Sequence, residues 1–392
     1  MNLRTRTALC AFLALAVAAG PAAPAFADAP GRTPAHAPGV HAPGEPDTGR
    51  LDTEALERAI ADLPADDATA AVVRVSGRDG TWRGVAGVRD LETGRKAIAD
   101  GRFRAGSVTK VFTAAVVLQL VAEGRVALDR PVREYLPDLV PADRSSITVA
   151  HLLNHTSGLA PADGPGDSFA DQYAHRFDST TPRETVASAM AKPRRFAPGK
   201  RQDYLNINYT LLGLLIEELT GTSYEHQVRS RILKPLRMRD TCFPGNGVRI
   251  PGRHNRGYQR TADGLLDVTE WNVSAGWAAG DVISTAADLE RFAHALFGGE
   301  VVPKERLRHM LEVPEGIEGA EYTMGMARMT LPDGTVGYGK TGGRHGYSTG
   351  MGATLGRDGR VERVVVYSVN STDAKAEDGN TRGLPIVLAA LR

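Results

Sequence analysis

Ser107 and Lys110 stand three residues apart in Ser107-Val108-Thr109-Lys110, at the opening of a run with helical pattern. Three residues is almost one helical turn, so the hydroxyl and the amine share a face. A serine is a poor nucleophile until a neighbouring base takes its proton. A lysine can be that base when burial or a second cation keeps it neutral. The helix start also directs its positive end at the serine oxygen, which favours an alkoxide and a later oxyanion. Two further groups follow in order: Tyr204-Leu205-Asn206 just ahead of a helical run, and Lys340-Thr341-Gly342 at the end of a late strand.

Three other patterns suggest chemistry and fail on their surroundings. Gly334 to Thr341 satisfies the phosphate-loop pattern G-x-x-x-x-G-K-T, but the Gly342-Gly343-Arg344-His345-Gly346 that follows cannot start the helix whose amides would cradle phosphate. Gly346-Tyr347-Ser348-Thr349-Gly350 matches a nucleophile elbow, yet no histidine follows position 345 and the next segment reads as strand. His151 and His155 have the i, i+4 spacing of a zinc helix but lack the glutamate of H-E-x-x-H, so a helix end with two hydrogen-bonding histidines is the better reading. Neither a metal nor a cofactor is expected.

The elements that must hold the surviving residues follow from periodicity. Leu51, Leu56, Ala59, Ile60 and Leu63 predict a first helix. Ala71–Val75 and Thr81–Val88 predict two strands around the Gly77-Arg78-Asp79-Gly80 turn. From about 107 to 298 the pattern is mostly helical, most clearly in Val111–Glu123, Tyr209–Thr220 and Ala286–Leu296. Strands return at Val336–Lys340, Thr349–Leu355 and Val361–Ser368, and a last helix runs from about Arg382 to Leu391. The expected fold is α+β: an antiparallel sheet built from both chain ends, flanked by the terminal helices, with a mostly helical domain inserted between. The cleft between sheet and helical block is the expected site.

Composition sets the class. The chain has 392 residues, 42% hydrophobic, with 47 Lys+Arg against 46 Asp+Glu and a formal charge of +1. That balance supplies no basic footprint for nucleic acid. Arg4 and Arg6, the apolar run Ala8 to Ala19 and the small-residue site Ala25-Phe26-Ala27 read as a secretory signal peptide over residues 1–27. Residues 28–50 have a Pro/Ala-rich linker composition, leaving 51–392 as the hydrolase domain. The apolar runs at either end are too short to span a bilayer.

The three motifs together, S-x-x-K, Y-x-N and [KH]-T-G in that order, resemble the serine penicillin-recognising family in its class C β-lactamase and D-alanyl-D-alanine carboxypeptidase branch. Phe103-Arg104-Ala105-Gly106 before Ser107, His151 to Leu159, Asn208-Tyr209 with Leu212-Gly213, and Asp281 to Thr285 also read as phrases of that family. The resemblance covers about residues 51–392 and implies a β-lactamase/transpeptidase-like fold. It implies that Ser107 is the acylated nucleophile and that Lys110, or Tyr204 held as a phenolate by Lys110, takes its proton. Asn206 would orient Lys110 and the substrate amide, Lys340 would add positive charge, and Thr341 in Lys340-Thr341-Gly342 would bind a substrate carboxylate. The amides of Ser107 and Gly343 would form the oxyanion hole. The implied partners are a small peptide or ester, foremost a cell-wall peptide, with β-lactams as covalent inhibitors.

Two departures bear on substrate. Leu205 replaces a residue that is often serine in this branch, which makes the site less polar. Some carboxypeptidases of the family carry a carboxylate-gripping arginine directly after a phrase like Tyr322-Thr323-Met324-Gly325-Met326; here Ala327 stands there and Arg328 one place later. On a strand that step turns the side chain to the opposite face. The sequence therefore predicts a secreted, metal-free serine hydrolase working through an acyl-enzyme, foremost a D-alanyl-D-alanine carboxypeptidase. An esterase or β-lactamase on the same residues, or an idle penicillin-binding scaffold, is the alternative. Trp271 and Trp277 are expected in the core rather than lining the cleft.

Overall fold

The computed structural model describes residues 51–331, 334–376 and 381–391; the expected signal peptide and linker lie outside them. The strands in chain order are β1 (Ala68–Gly77), β2 (Gly80–Gly87), β3 (Phe103–Arg104), β4 (Tyr258–Thr261), β5 (Gly264–Asp267), β6 (Ile283–Ser284), β7 (Ala327–Thr330), β8 (Val336–Arg344), β9 (Tyr347–Leu355) and β10 (Val361–Ser371). Six of them form one antiparallel sheet in the order β2-β1-β10-β9-β8-β7. The pairing of β1 with β10, for example Val73 opposite Tyr367, joins the two ends of the chain as the sequence predicts.

Alternation along the central strands divides the sheet into two faces. Val73, Val75, Val365, Tyr367 and Val369 point to one side, where the helices Thr53–Ala59 and Gly383–Ala390 cover them. Val72, Val364 and Val366 point to the other and join the main core with the helical block. Arg74 and Ser76 on this second face bind Glu290 and His294, seating the helix Ala286–Phe297 on the sheet.

The helix Thr109–Ala122 is the axis of the helical block. Its residues from Thr109 to Leu118 are completely buried, which explains why it reads as apolar all round rather than amphipathic. Phe112 stacks on Phe292 with ring centroids 4.0 Å apart and planes 11° apart, joining it to the helix Ala286–Phe297. The helix Asn206–Thr220 packs beside it and stops at Gly221, whose φ of 68° is the left-handed end that glycine supplies most cheaply.

The structure also shows elements that periodicity does not reveal. The two-residue pair β3–β6 and the short hairpin β4–β5 are too brief to produce a pattern of their own. Strand β8 runs further than expected because Thr341 to Arg344 still pair with β9, and β10 because Ser371 at its end pairs with Ala68 of β1. Among the described residues no helix is long and apolar enough to cross a membrane.

Replacing Phe112 with alanine removes a fully buried ring and its stacking partner. This should cost about 3–5 kcal/mol, read as a lower midpoint in urea unfolding with an unchanged slope.

Candidate active site

Ser107 lies in the single 3-10 turn Gly106–Val108, immediately ahead of the helix Thr109–Ala122 that carries Lys110. Gly106 has a φ of 52°, and a Cβ there would stand 2.9 Å from the Gly343 amide nitrogen. The turn is therefore pressed against strand β8. Gly342 shows the same closeness from the other side: a Cβ on it would stand 2.0 Å from the Ala105 carbonyl oxygen and 2.9 Å from the Ser107 amide nitrogen. Thr349 on β9 donates its hydroxyl to both the Ala105 and Gly342 carbonyls, at 2.9 and 3.2 Å, and holds turn and strand together.

Lys110 is fully buried, so its ammonium needs acceptors in place of water. Its Nζ donates to Ser107 Oγ at 3.1 Å, Asn206 Oδ1 at 2.8 Å and the Ala279 carbonyl at 2.7 Å. Asn206 opens the helix Asn206–Thr220, and Tyr204 stands two residues ahead of it. Lys110 Nζ lies 4.9 Å from the Tyr204 ring centroid and Lys340 Nζ lies 4.8 Å from it. Two cations thus converge on one half-buried phenol beside the serine. Lys340 is itself buried and donates to the Thr341 carbonyl at 2.7 Å, while the Thr341 side chain is half-buried. The eight predicted positions, Ser107, Lys110, Tyr204, Asn206, Lys340, Thr341, Gly342 and Gly343, lie on three segments that meet at this point.

Beneath them is a support that the motifs do not announce. His155 stacks under Tyr204 with centroids 4.4 Å apart, and Tyr322 packs against both rings at 5.5 and 5.1 Å. Burial, reinforced by the charges of Lys110 and Lys340, pushes the His155 imidazole well below its ordinary pKa, so it is neutral. Its Nδ1 lies 3.3 Å from the Leu205 amide and 3.2 Å from the Asn208 side-chain amide. His151 Nδ1 accepts from the Thr148 amide in a helix cap. The histidine pair is thus a hydrogen-bonded helix end, as its missing glutamate suggests. The phosphate-loop look-alike is strand β8, and Ser348 of the elbow look-alike is buried inside β9.

Three expectations are refined. Leu205 turns into the main core, so the polarity of the cleft does not depend on it. Trp277 is buried in the core, as expected, and donates to Glu225. Trp271 instead packs on His345 at 4.7 Å in a tilted arrangement and edge-on against Tyr173 at 6.2 Å, at the β8–β9 turn. Arg328 does point away from the side that Ala327 faces, but the β7–β8 register sets it opposite Tyr338. Directly paired residues share a face, and Tyr338 shares one with Lys340 two residues on. The one-place shift therefore puts Arg328 on the face of Lys340 rather than removing it. Strand β7 pairs with Val336–Gly339 only, and stops before Lys340.

The comparisons agree with this geometry. Residues 56–388 match the Beta-lactamase family model. The chain belongs to the Beta-lactamase family. The penicillin-recognising proteins belong to the same superfamily. The chain is 38% identical over 174 residues to Esterase EstB of Burkholderia gladioli, covering 41% of this chain and 43% of that protein. It is 32% identical over 223 residues to Penicillin-binding protein 4 of Amycolatopsis lactamdurans, covering 56% of each. The aligned region thus spans about half the length of these curated relatives. Among solved structures, a D-stereospecific amidohydrolase from Streptomyces sp. superposes with a TM-score of 0.72 at 34% identity, covering 83% of this chain and 96% of that one.

Two outcomes follow. Gly342→Ala must push β8 off the serine turn, so acylation by an activated ester should fall about 100-fold or more while the circular dichroism spectrum stays native. For His155, the folded pKa is below the unfolded value near 6.5. Its contribution to stability is whole above that pH and is lost as pH falls, because the unfolded chain binds the proton. The fall of Tm between pH 6.5 and 4.5 should therefore be steeper in the wild type than in His155→Gln.

Proposed function

We propose that this family member is a secreted D-alanyl-D-alanine carboxypeptidase that works through an acyl-enzyme on Ser107. The observation that carries the acyl-enzyme is Lys110 Nζ, 3.1 Å from Ser107 Oγ and fixed from behind by Asn206 and Ala279. In the first step Ser107 Oγ bonds to the substrate carbonyl carbon while its proton passes to Tyr204 held as a phenolate by the Lys110 ammonium, or to Lys110 once it has become the neutral amine. The oxyanion is held by the Ser107 and Gly343 amides. The C–N bond then breaks, and the terminal amino acid leaves with the transferred proton. Water hydrolyses the ester and returns Ser107.

The carboxypeptidase reading draws on the cations. Lys340 and Arg328 share a face beside the stretch of β8 that β7 leaves uncovered. A peptide laid along that edge as an added strand brings its terminal carboxylate to positive charge and Thr341. The relatives point the same way, since a penicillin-binding protein and a D-stereospecific amidohydrolase are among them. An esterase is the second reading, favoured by the 38% identity to Esterase EstB. Secretion rests on the basic, apolar and Ala-Phe-Ala segments of residues 1–27, and implies a mature chain starting at Asp28.

Intact-mass spectrometry after incubation with a penicillin is the test. The wild type should gain one drug mass and Ser107→Ala none, and the wild type should release D-alanine from a peptide ending in D-Ala-D-Ala. Cleavage of esters alone, with no adduct and no D-alanine, would replace this reading with the esterase.

A further inference from the structure

Arg344 is the last residue of β8, directly after Gly343, and no motif assigns it a role. It closes β8 opposite Tyr347, and the turn between them contains Gly346 with a φ of 77°, so the base of its side chain is fixed. Its guanidinium reaches across to the Gly276–Asp281 loop and forks onto one carbonyl: Nε at 3.1 Å and Nη2 at 2.7 Å from the Gly280 oxygen. Two glycines leave room for it there. A Cβ on Gly276 or Gly280 would stand 1.9 or 2.6 Å from Nη2.

The same loop holds the catalytic helix. The Ala278 carbonyl accepts from Thr113 Oγ1 at 2.6 Å, and the next carbonyl, Ala279, accepts from Lys110 Nζ at 2.7 Å. Beyond the loop, the Val282 amide donates to Thr109 Oγ1 at 3.1 Å. Its backbone is not a relaxed one, for Trp277 has a φ of 28°, a value bulky side chains rarely adopt. Such a conformation persists only where the surroundings over-determine it. Asp281, buried next to Gly280, has one carboxylate oxygen with no hydrogen-bond partner among the described residues. The guanidinium is a positive charge close to that carboxyl group and opposes the effect of burial on it.

We propose that Arg344 is a positioning residue: by clamping the Gly280 carbonyl it fixes the neighbouring Ala279 carbonyl on Lys110, and so ties the oxyanion strand to the group beside the nucleophile. A planar fork suits this better than a lysine, which offers a point charge and a less constrained geometry. The inference rests on the reading of Ser107 as nucleophile and Lys110 as its partner, so its test must separate the two.

A fluorophosphonate reports on serine reactivity whatever the natural substrate, because Oγ bonds to phosphorus and fluoride leaves. The measurement is the labelling rate against probe concentration for wild type, Ser107→Ala, Arg344→Gln and Arg344→Lys, with Tm taken for each. Labelling of the wild type but not of Ser107→Ala is expected. In Arg344→Gln the saturating rate constant should drop about 100-fold, the scale of a misplaced catalytic group, with the half-saturating concentration changed less than about threefold. Arg344→Lys should recover about tenfold of that loss. A rate constant within twofold of wild type in either folded variant, or a loss confined to the half-saturating concentration, overturns the inference and leaves the nucleophile assignment standing. An unlabelled wild type overturns both. Should Arg344→Gln fail to fold, Arg344→Lys decides by the same criteria.

Discussion

A buried ammonium is the constraint on which this structure depends. Lys110 sits at zero exposure on a helix buried along nearly its whole length, where an unpartnered charge would cost several kcal/mol. Oxygen acceptors reach it from separate parts of the chain: the serine turn, the start of the helix Asn206–Thr220 and the loop before β6. Each must be placed within hydrogen-bond distance for the lysine to be tolerated. The demands of stability and of catalysis therefore coincide, since the arrangement that solvates the lysine is also the one that sets it against Ser107. The neutral His155 under Tyr204 fits the same scheme, because a third cation there would have no counter-charge.

The sheet supplies the other half of the site. Joining β1 to β10 leaves β8 near the far edge, and the serine turn closes on it at Gly106 and Gly342 with no room for a side chain on either. Close backbone approach is what brings the Ser107 and Gly343 amides to one place. The outer helices contribute at a distance, by covering the opposite face of the sheet.

Much of this was legible in the sequence. Strand-like segments at both chain ends, Ala71–Val75 and Val361–Ser368, with a helical block between, predicted the joined sheet, and three ordered motifs predicted which side chains would converge. What escaped was held by backbone or by very short elements. Ala279 contributes a carbonyl that any residue would carry, so no pattern marks it. His155 was visible as half of a false metal pair and within a family phrase, but not as the ring under Tyr204, because that stacking is a tertiary contact. Arg328 does turn away from the side of Ala327, as the one-residue step predicts, but such a step fixes the face only relative to its neighbour. The pairing partner, Tyr338, settles which face that is. Trp271 was expected in the core on its residue type, whereas its ring packs at the β8–β9 turn.

The hydrogen bond from Thr349 to the Ala105 carbonyl closes a loop of 244 residues. Contacts of such long range are slow to form, because the entropy of closing the chain is lost before packing compensates. A nascent or unfolded chain can make the Ser107–Lys110 turn early, but it has no oxyanion strand until β8 and β9 have arrived from the other end. The assembled site thus waits on the meeting of segments far apart in the chain. A chain severed before β8 keeps the Ser107–Lys110 turn but lacks the strand that closes against it.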